Sequence, residues 1–104
     1  MQNLDAAEFA QKISQSSVVL LDVRTPAEFN EGHIPNAVNI DVLAEYFSAD
    51  IETLDKSKEY AVYCRSGKRS VDAAYVMGEA GFDKTFNLTG GIIEWLEAGK
   101  PTVS

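Results

Sequence analysis

"YAVYCRSGKRSVDAAYVMGEAG", residues 60–81, passes from a strand through a tight loop into a helix, and this passage decides the fold. Tyr60 to Cys64 form a short apolar run with aromatic and β-branched side chains, the mark of a strand covered on both faces. From Lys68 onward the period changes. Val71, Ala74, Tyr75 and Gly78 follow the i, i+3, i+4, i+7 spacing of a helix face, and Gly81 suits the position just past the helix end. In between, Gly67 gives the backbone freedom to curl through positive φ. A loop that curls into a helix start turns successive N–H groups inward, and the helix dipole strengthens the anion cradle they make.

Outward from this unit the alternation continues. Towards the N-terminus, residues 17–23 (SVVLLDV) and 38–40 (VNI) read as strands and residues 24–32 as a compact helix. Thr25 caps that helix, Pro26 takes its first position, Glu28 closes a capping box and Gly32 ends it. Residues 4–14 carry another helix, with Asp5 and Glu8 in capping-box spacing ahead of Phe9 and Ile13, and residues 42–47 read as a helical turn or two. Towards the C-terminus, residues 85–88 (TFNL) form an interior strand and residues 89–99 turn into a final helix. Strands separated by helices need crossover connections, so the expected fold is α/β with a mainly parallel sheet and helices on its faces. Ligands of such sheets bind beyond the carboxyl ends of the strands, and Cys64 stands at one.

Composition narrows the function. The 104 residues suit one domain, 1–104, by the usual prior of roughly 100–200 residues each. Cys64 is the only cysteine and His33 the only histidine, so an internal disulfide is excluded, and neither a metal site nor a cofactor is expected. A net charge of −7 argues against a nucleic-acid partner, which needs a basic face. No run approaches the roughly 18 apolar residues of a membrane span, so no membrane partner is expected either. The start, MQNLDAAEFA, has no signal-peptide pattern, and a cytoplasmic location is expected unless a leader has already been removed.

Against that acidic background, Arg65, Lys68 and Arg69 gather three of the nine basic residues beside the thiol. They point to a small anion as ligand. A free cysteine has a pKa near 8.5, and helix N-termini or nearby cations lower it to about 3.5–7.5, which makes a nucleophile. A lone cysteine in other surroundings reads as a small buried hydrophobe, but Arg-Ser-Gly-Lys-Arg beside it argues against a dry pocket. The stretch SGKRS also approaches the phosphate-loop pattern G-x-x-x-x-G-K-[ST]. Val62 stands where its first glycine belongs and Arg69 where Ser or Thr belongs, so no nucleotide site is read.

Cys64-Arg65-Ser66-Gly67-Lys68-Arg69 resembles the C-R-x-G-x-R active loop of rhodanese-type sulfurtransferases. Residues 21–40, LDVRTPAEFNEGHIPNAVNI, resemble the upstream signature D-V-R-x-x-x-E-[FY]-x-x-G-H-I-P-G-A-x-N-[IL] of that family, and residues 87–95, NLTGGIIEW, its L-x-G-G-x-x-x-W signature. One departure is Asn36, where the family has glycine; asparagine tolerates a left-handed backbone, so the turn is expected to survive. The resemblance implies a mainly parallel, five-stranded sheet with helices on both faces. It also implies a chemistry. Cys64 takes the outer sulfur of thiosulfate, or of a related persulfide or polysulfide donor, and becomes a persulfide cradled by the loop. Cyanide, a small thiol or a thiol protein then accepts the sulfur, in two covalent steps with ping-pong kinetics.

Cys64 is thus the expected catalytic residue, and Arg65, Ser66, Gly67, Lys68 and Arg69 are the expected substrate-binding set. Ser66 and Ser70 read first as helix caps, with a bond to the sulfur as the alternative. His33, in EGHIPNA, reads as part of a turn, since an ionised thiolate needs no general base. Asp22 and Arg24 read as a stabilising pair at the end of the sheet, Gly90-Gly91 as close backbone packing near the loop, and Trp95 as core. Two other functions compete. One is phosphate-ester or arsenate chemistry on the related phosphatase scaffold, whose loop is Cys-x₅-Arg, one residue longer than here. The other is a persulfide carrier or regulatory binding module.

Overall fold

Five strands form one sheet in a computed structural model that describes residues 1–104. In chain order the elements are β1 (Gln2–Leu4), α1 (Ala6–Ile13), β2 (Val18–Asp22), α2 (Pro26–Glu31), β3 (Val38–Asn39), α3 (Phe47–Ile51), β4 (Glu59–Tyr63), α4 (Lys68–Glu79), β5 (Thr85–Leu88) and α5 (Gly91–Glu97). Across the sheet the order is β1-β5-β4-β2-β3, and every neighbouring pair is parallel. The α/β architecture is the expected one. Both capping boxes form: Asp5 with Glu8 on α1, and Thr25 with Glu28 on α2. Asn36 takes the left-handed turn at φ 73°.

Side-chain alternation along β2 and β4 sorts residues between two cores. Leu20, Ala61 and Tyr63 join Phe9, Leu88, Ile92 and Trp95 on the face covered by α1 and α5. Leu21, Val62 and Cys64 join Ile51, Ala73 and Met77 on the face covered by α3 and α4. This parity of β4 is what aims Cys64 at the start of α4. From β2 the chain moves outward to β3, and from β4 it moves the other way to β5, so the winding reverses between β2 and β4. Open α/β sheets bind their ligands at that crevice.

Three expectations shift. Residues 2–4 form β1, which pairs with β5 in the register Leu4↔Leu88; a three-residue strand is too short to show a period, and its Leu4 had read as the start of the first helix. Residues 42–46 form turns and not helix. The Asp41 carboxylate accepts from Leu43 N at 2.9 Å, and α3 starts only at Phe47, where Phe47 and Ile51 are buried one turn apart. On α4 the buried stripe is Ser70, Ala73, Ala74 and Met77, while Val71, Tyr75 and Gly78 are exposed. The spacing is the expected one, moved by a single residue. The true stripe begins with a serine because that position meets the sulfur, and its alanines let the helix lie close to the sheet.

Candidate active site

The loop from Cys64 to α4 is held by two glycines, Gly67 within it and Gly91 at the start of α5. Gly67 has φ 96°, and a Cβ there would sit 1.9 Å from the Thr89 carbonyl oxygen. Gly91 has φ 63°, and a Cβ there would sit 2.3 Å from the Arg65 carbonyl oxygen. Both positions therefore require glycine, for conformation and for space. The first turn of α5 completes the support: Ile92 N donates to the Cys64 carbonyl at 2.9 Å and Ile93 N to that of Arg65 at 3.2 Å. Gly90-Gly91 is the close packing expected of it.

Within this frame the sulfur is ringed by donors. Gly67 N lies 3.1 Å from Cys64 Sγ, and Ser70 Oγ lies 3.4 Å from it. Cys64 is 1% exposed. Burial pushes its thiol pKa up, but the Ser70 hydroxyl and the amides of Ser70, Ser66 and Gly67 together outweigh that and leave it below the ordinary value. The backbone cradle thus acts as expected, while the share expected of the neighbouring cations is not among the leading causes. Arg65 and Lys68 are exposed, and neither takes part in any of the four ion pairs of the chain. Ser70 is likewise not a cap: α4 has Gly67 at its N-cap and no side-chain cap bond. Its hydroxyl serves the sulfur instead.

Arg69 faces a carboxylate. Its Nη1 and Nη2 donate to Glu28 Oε1 and Oε2 at 2.7 and 2.9 Å, a bidentate pair. The same Oε1 accepts from Thr25 N and Thr25 Oγ1, so one carboxylate caps α2 and fastens α4. The Arg69 guanidinium holds the Glu28 pKa down at about 2. Beside it, Asp22 accepts from Arg24 Nη2 at 2.6 Å and from the Tyr63 hydroxyl at 2.7 Å, and Arg24 Nη2 also donates to the Gly32 carbonyl at 2.7 Å. Burial and then the charge of Asp22 push the Tyr63 pKa up. Asp22 and Arg24 are thus the ion pair at the end of the sheet that was expected, and Tyr63 adds a tie from β4 to it. His33 Nδ1 contacts the Phe29 carbonyl at 2.9 Å and its ring stacks on Phe29, a turn residue with no contact to the thiol.

A cleft of about 370 Å³ opens beside the loop, lined by Ile92, Ile93 and Leu96 together with Arg65, Glu28 and Glu31. Glu28 and Asn87 are parts of the site that the sequence reading missed as such. Asn87 is 1% exposed, and its Oδ1 accepts from Ser70 Oγ. A signal existed for it: an asparagine inside the interior strand TFNL must find partners.

The family model for the rhodanese-like domain matches residues 5–98. A sulfurtransferase of Allochromatium vinosum is 32% identical over 100% of this chain and 96% of that protein. The thiosulfate sulfurtransferase GlpE of Shewanella oneidensis is 33% identical over 93% of this chain and 94% of that protein. A tRNA uridine(34) hydroxylase of an Enterobacter species is 33% identical over 88% of this chain but only 28% of its own length. Among solved structures, a rhodanese-related protein of Thermoplasma volcanium superposes with a TM-score of 0.86 at 32% identity, covering 99% of this chain and 98% of that one.

Proposed function

This chain is a member of the rhodanese-like domain family, and on that premise we propose that it is a thiosulfate-type sulfurtransferase working through a persulfide on Cys64. The observation that carries this reading is Sγ held by Gly67 N and Ser70 Oγ at the amino end of α4. Hydrogen bonds of this kind favour the ionised sulfur, and the dipole of α4 acts in the same sense. The thiolate attacks the outer sulfur of thiosulfate, the sulfur–sulfur bond of the donor breaks, and sulfite leaves with the electron pair. Cys64 then carries Sγ–S⁻. An acceptor, cyanide or the thiolate of a small molecule or protein, attacks the outer sulfur and returns Cys64 as thiolate. No proton need be removed by a base at either step, which fits the remoteness of His33.

In the same reading Ser66 and Gly67 hold the donor through their amides, Arg65 and Lys68 through exposed cations, and Arg69 from the position in which Glu28 clamps it. The chain acts as one domain in the cytoplasm, where reducing conditions keep a single thiol free. Mixing the protein with thiosulfate and cyanide is expected to yield thiocyanate with ping-pong kinetics, and Cys64→Ser is expected to abolish it. Undiminished turnover by Cys64→Ser would overturn the reading, as would hydrolysis of an aryl phosphate with no thiocyanate formed. The 1% exposure of Cys64 favours a second reading, a persulfide carrier or regulatory module. Persulfide that forms but does not pass to cyanide or small thiols would mark that case.

A further inference from the structure

Ser70 has one hydroxyl proton and two acceptors within reach. One is Cys64 Sγ at 3.4 Å, and the other, closer, is Asn87 Oδ1. Ser70 is fully buried and Asn87 nearly so, so water does not serve either group in their place. The amide of Asn87 is oriented from its far side, where Nδ2 donates to Asn3 Oδ1 on β1 at 3.0 Å, and this leaves Oδ1 pointing at the serine. A polar chain thus runs from the sulfur through α4 and β5 to the edge strand of the sheet.

We propose that Ser70 is a positioning residue that switches its proton between Asn87 and the sulfur, and that it acts chiefly when the persulfide is discharged. The step rests on the sulfurtransferase reading and balances as Cys64–Sγ–S⁻ + R–S⁻ → Cys64–Sγ⁻ + R–S–S⁻. In the persulfide the outer sulfur carries the charge, and Sγ is a weak acceptor, so the proton rests on Asn87. As the sulfur–sulfur bond breaks, charge returns to Sγ, and the hydroxyl turns to it by rotation about the Cβ–Oγ bond alone. Bonds to an ionised acceptor are the stronger ones, so the transition state for discharge gains more than the persulfide does. Loading moves charge off Sγ, and there the same bond gives no such gain. Ser70 therefore favours release of sulfur over capture.

The charged groups around the thiol are Arg69 on α4 with its partner Glu28 on α2, the Asp22–Arg24 pair at the end of β2, Arg65 in the loop and Lys68 at the first position of α4. All except the last two are locked in ion pairs. Removing the Ser70 hydroxyl leaves these charges in place, so its effect can be read separately.

The test follows the β-carbon NMR shift of the single, isotope-labelled cysteine against pH, and separately times loading by thiosulfate and discharge of the preformed persulfide by cyanide. Ser70→Ala is expected to raise the thiol midpoint by about one pH unit and slow discharge about tenfold, with loading at alkaline pH changed by no more than about twofold. Ser70→Thr, which keeps the hydroxyl, is expected to restore both. Asn87→Leu has the same branching but no acceptor, so it commits the proton to Sγ; it is expected to lower the midpoint and speed discharge. A merely structural role would move the two variants in the same direction. That result, or an unchanged midpoint in Ser70→Ala, would overturn the proposal. If the wild type forms no persulfide at all, the sulfurtransferase reading fails by itself, and the titration still decides whether the proton is shared.

Discussion

Glu28 shows how much one side chain can carry. Its capping role was legible, because Thr25 lies three residues away and the box is a local pattern. Its partner Arg69 lies 41 residues further along, and only the reversal of winding between β2 and β4 brings the two together. With the Glu28 pKa lowered from 4.5 to about 2, the ion pair is fully present above about pH 4.5 and is lost as the pH falls towards 2. Glu28→Gln is expected to cost about 1 kcal/mol at neutral pH, since both partners are partly exposed. The variant is also expected to lose less stability than the wild type between pH 4.5 and 2, as urea titrations at several pH values would show. Parallel curves would mean the pair contributes nothing. Ser70 and Asn87 were harder to read. A serine after a basic loop reads first as a cap, and nothing local decides for the alternative, a hydroxyl that faces a sulfur six residues back.

At the scale of elements, strand and helix types followed from local signals, and the misreadings came where packing overrides them. Helical spacing from Val71 draws the stripe on α4 through Val71 and Tyr75, yet both face solvent, because Ser70 must meet Cys64 and a helix presents only one face to the sheet. Tyr75→Gln is expected to leave stability within about 0.5 kcal/mol. Met77→Ala, one turn along the buried stripe, is expected to cost about 2–5 kcal/mol. Equal effects in denaturant unfolding would contradict this orientation. The loop carries the sharper demand. Gly91→Ala would set a methyl against the Arg65 carbonyl at a positive φ, so it is expected to cost on the order of 3 kcal/mol and to displace the loop. Loss of persulfide formation beyond the fraction unfolded is the readout. A fully active, equally stable variant would show that α5 does not set the loop.

The whole molecule places two exposed cations beside the thiol on an acidic body. The net charge is −7, while Arg65 and Lys68 stand exposed at the carboxyl end of β4. Topology chooses that location. β4 is central, its parity turns Cys64 towards α4, and the adjoining ends of β2 and β4 are closed by the Asp22–Arg24–Tyr63 cluster. Parallel architecture and the place of the thiol could be read from the alternation of strands and helices. The pairing of edge strand β1 could not, since a three-residue segment has no pattern of its own. What the fold accomplishes is to bury a thiol almost completely and still hold its pKa below the ordinary value, through hydrogen bonds from Ser70, Ser66 and Gly67 that outweigh the burial. The most direct measurement is the intact mass of the protein after brief exposure to thiosulfate and removal of the excess. A gain of about 32 Da, one sulfur atom, which cyanide reverses and Cys64→Ser never shows, is the expected result. An unchanged mass with thiosulfate and with persulfide or polysulfide donors, or the same gain in Cys64→Ser, would contradict the account.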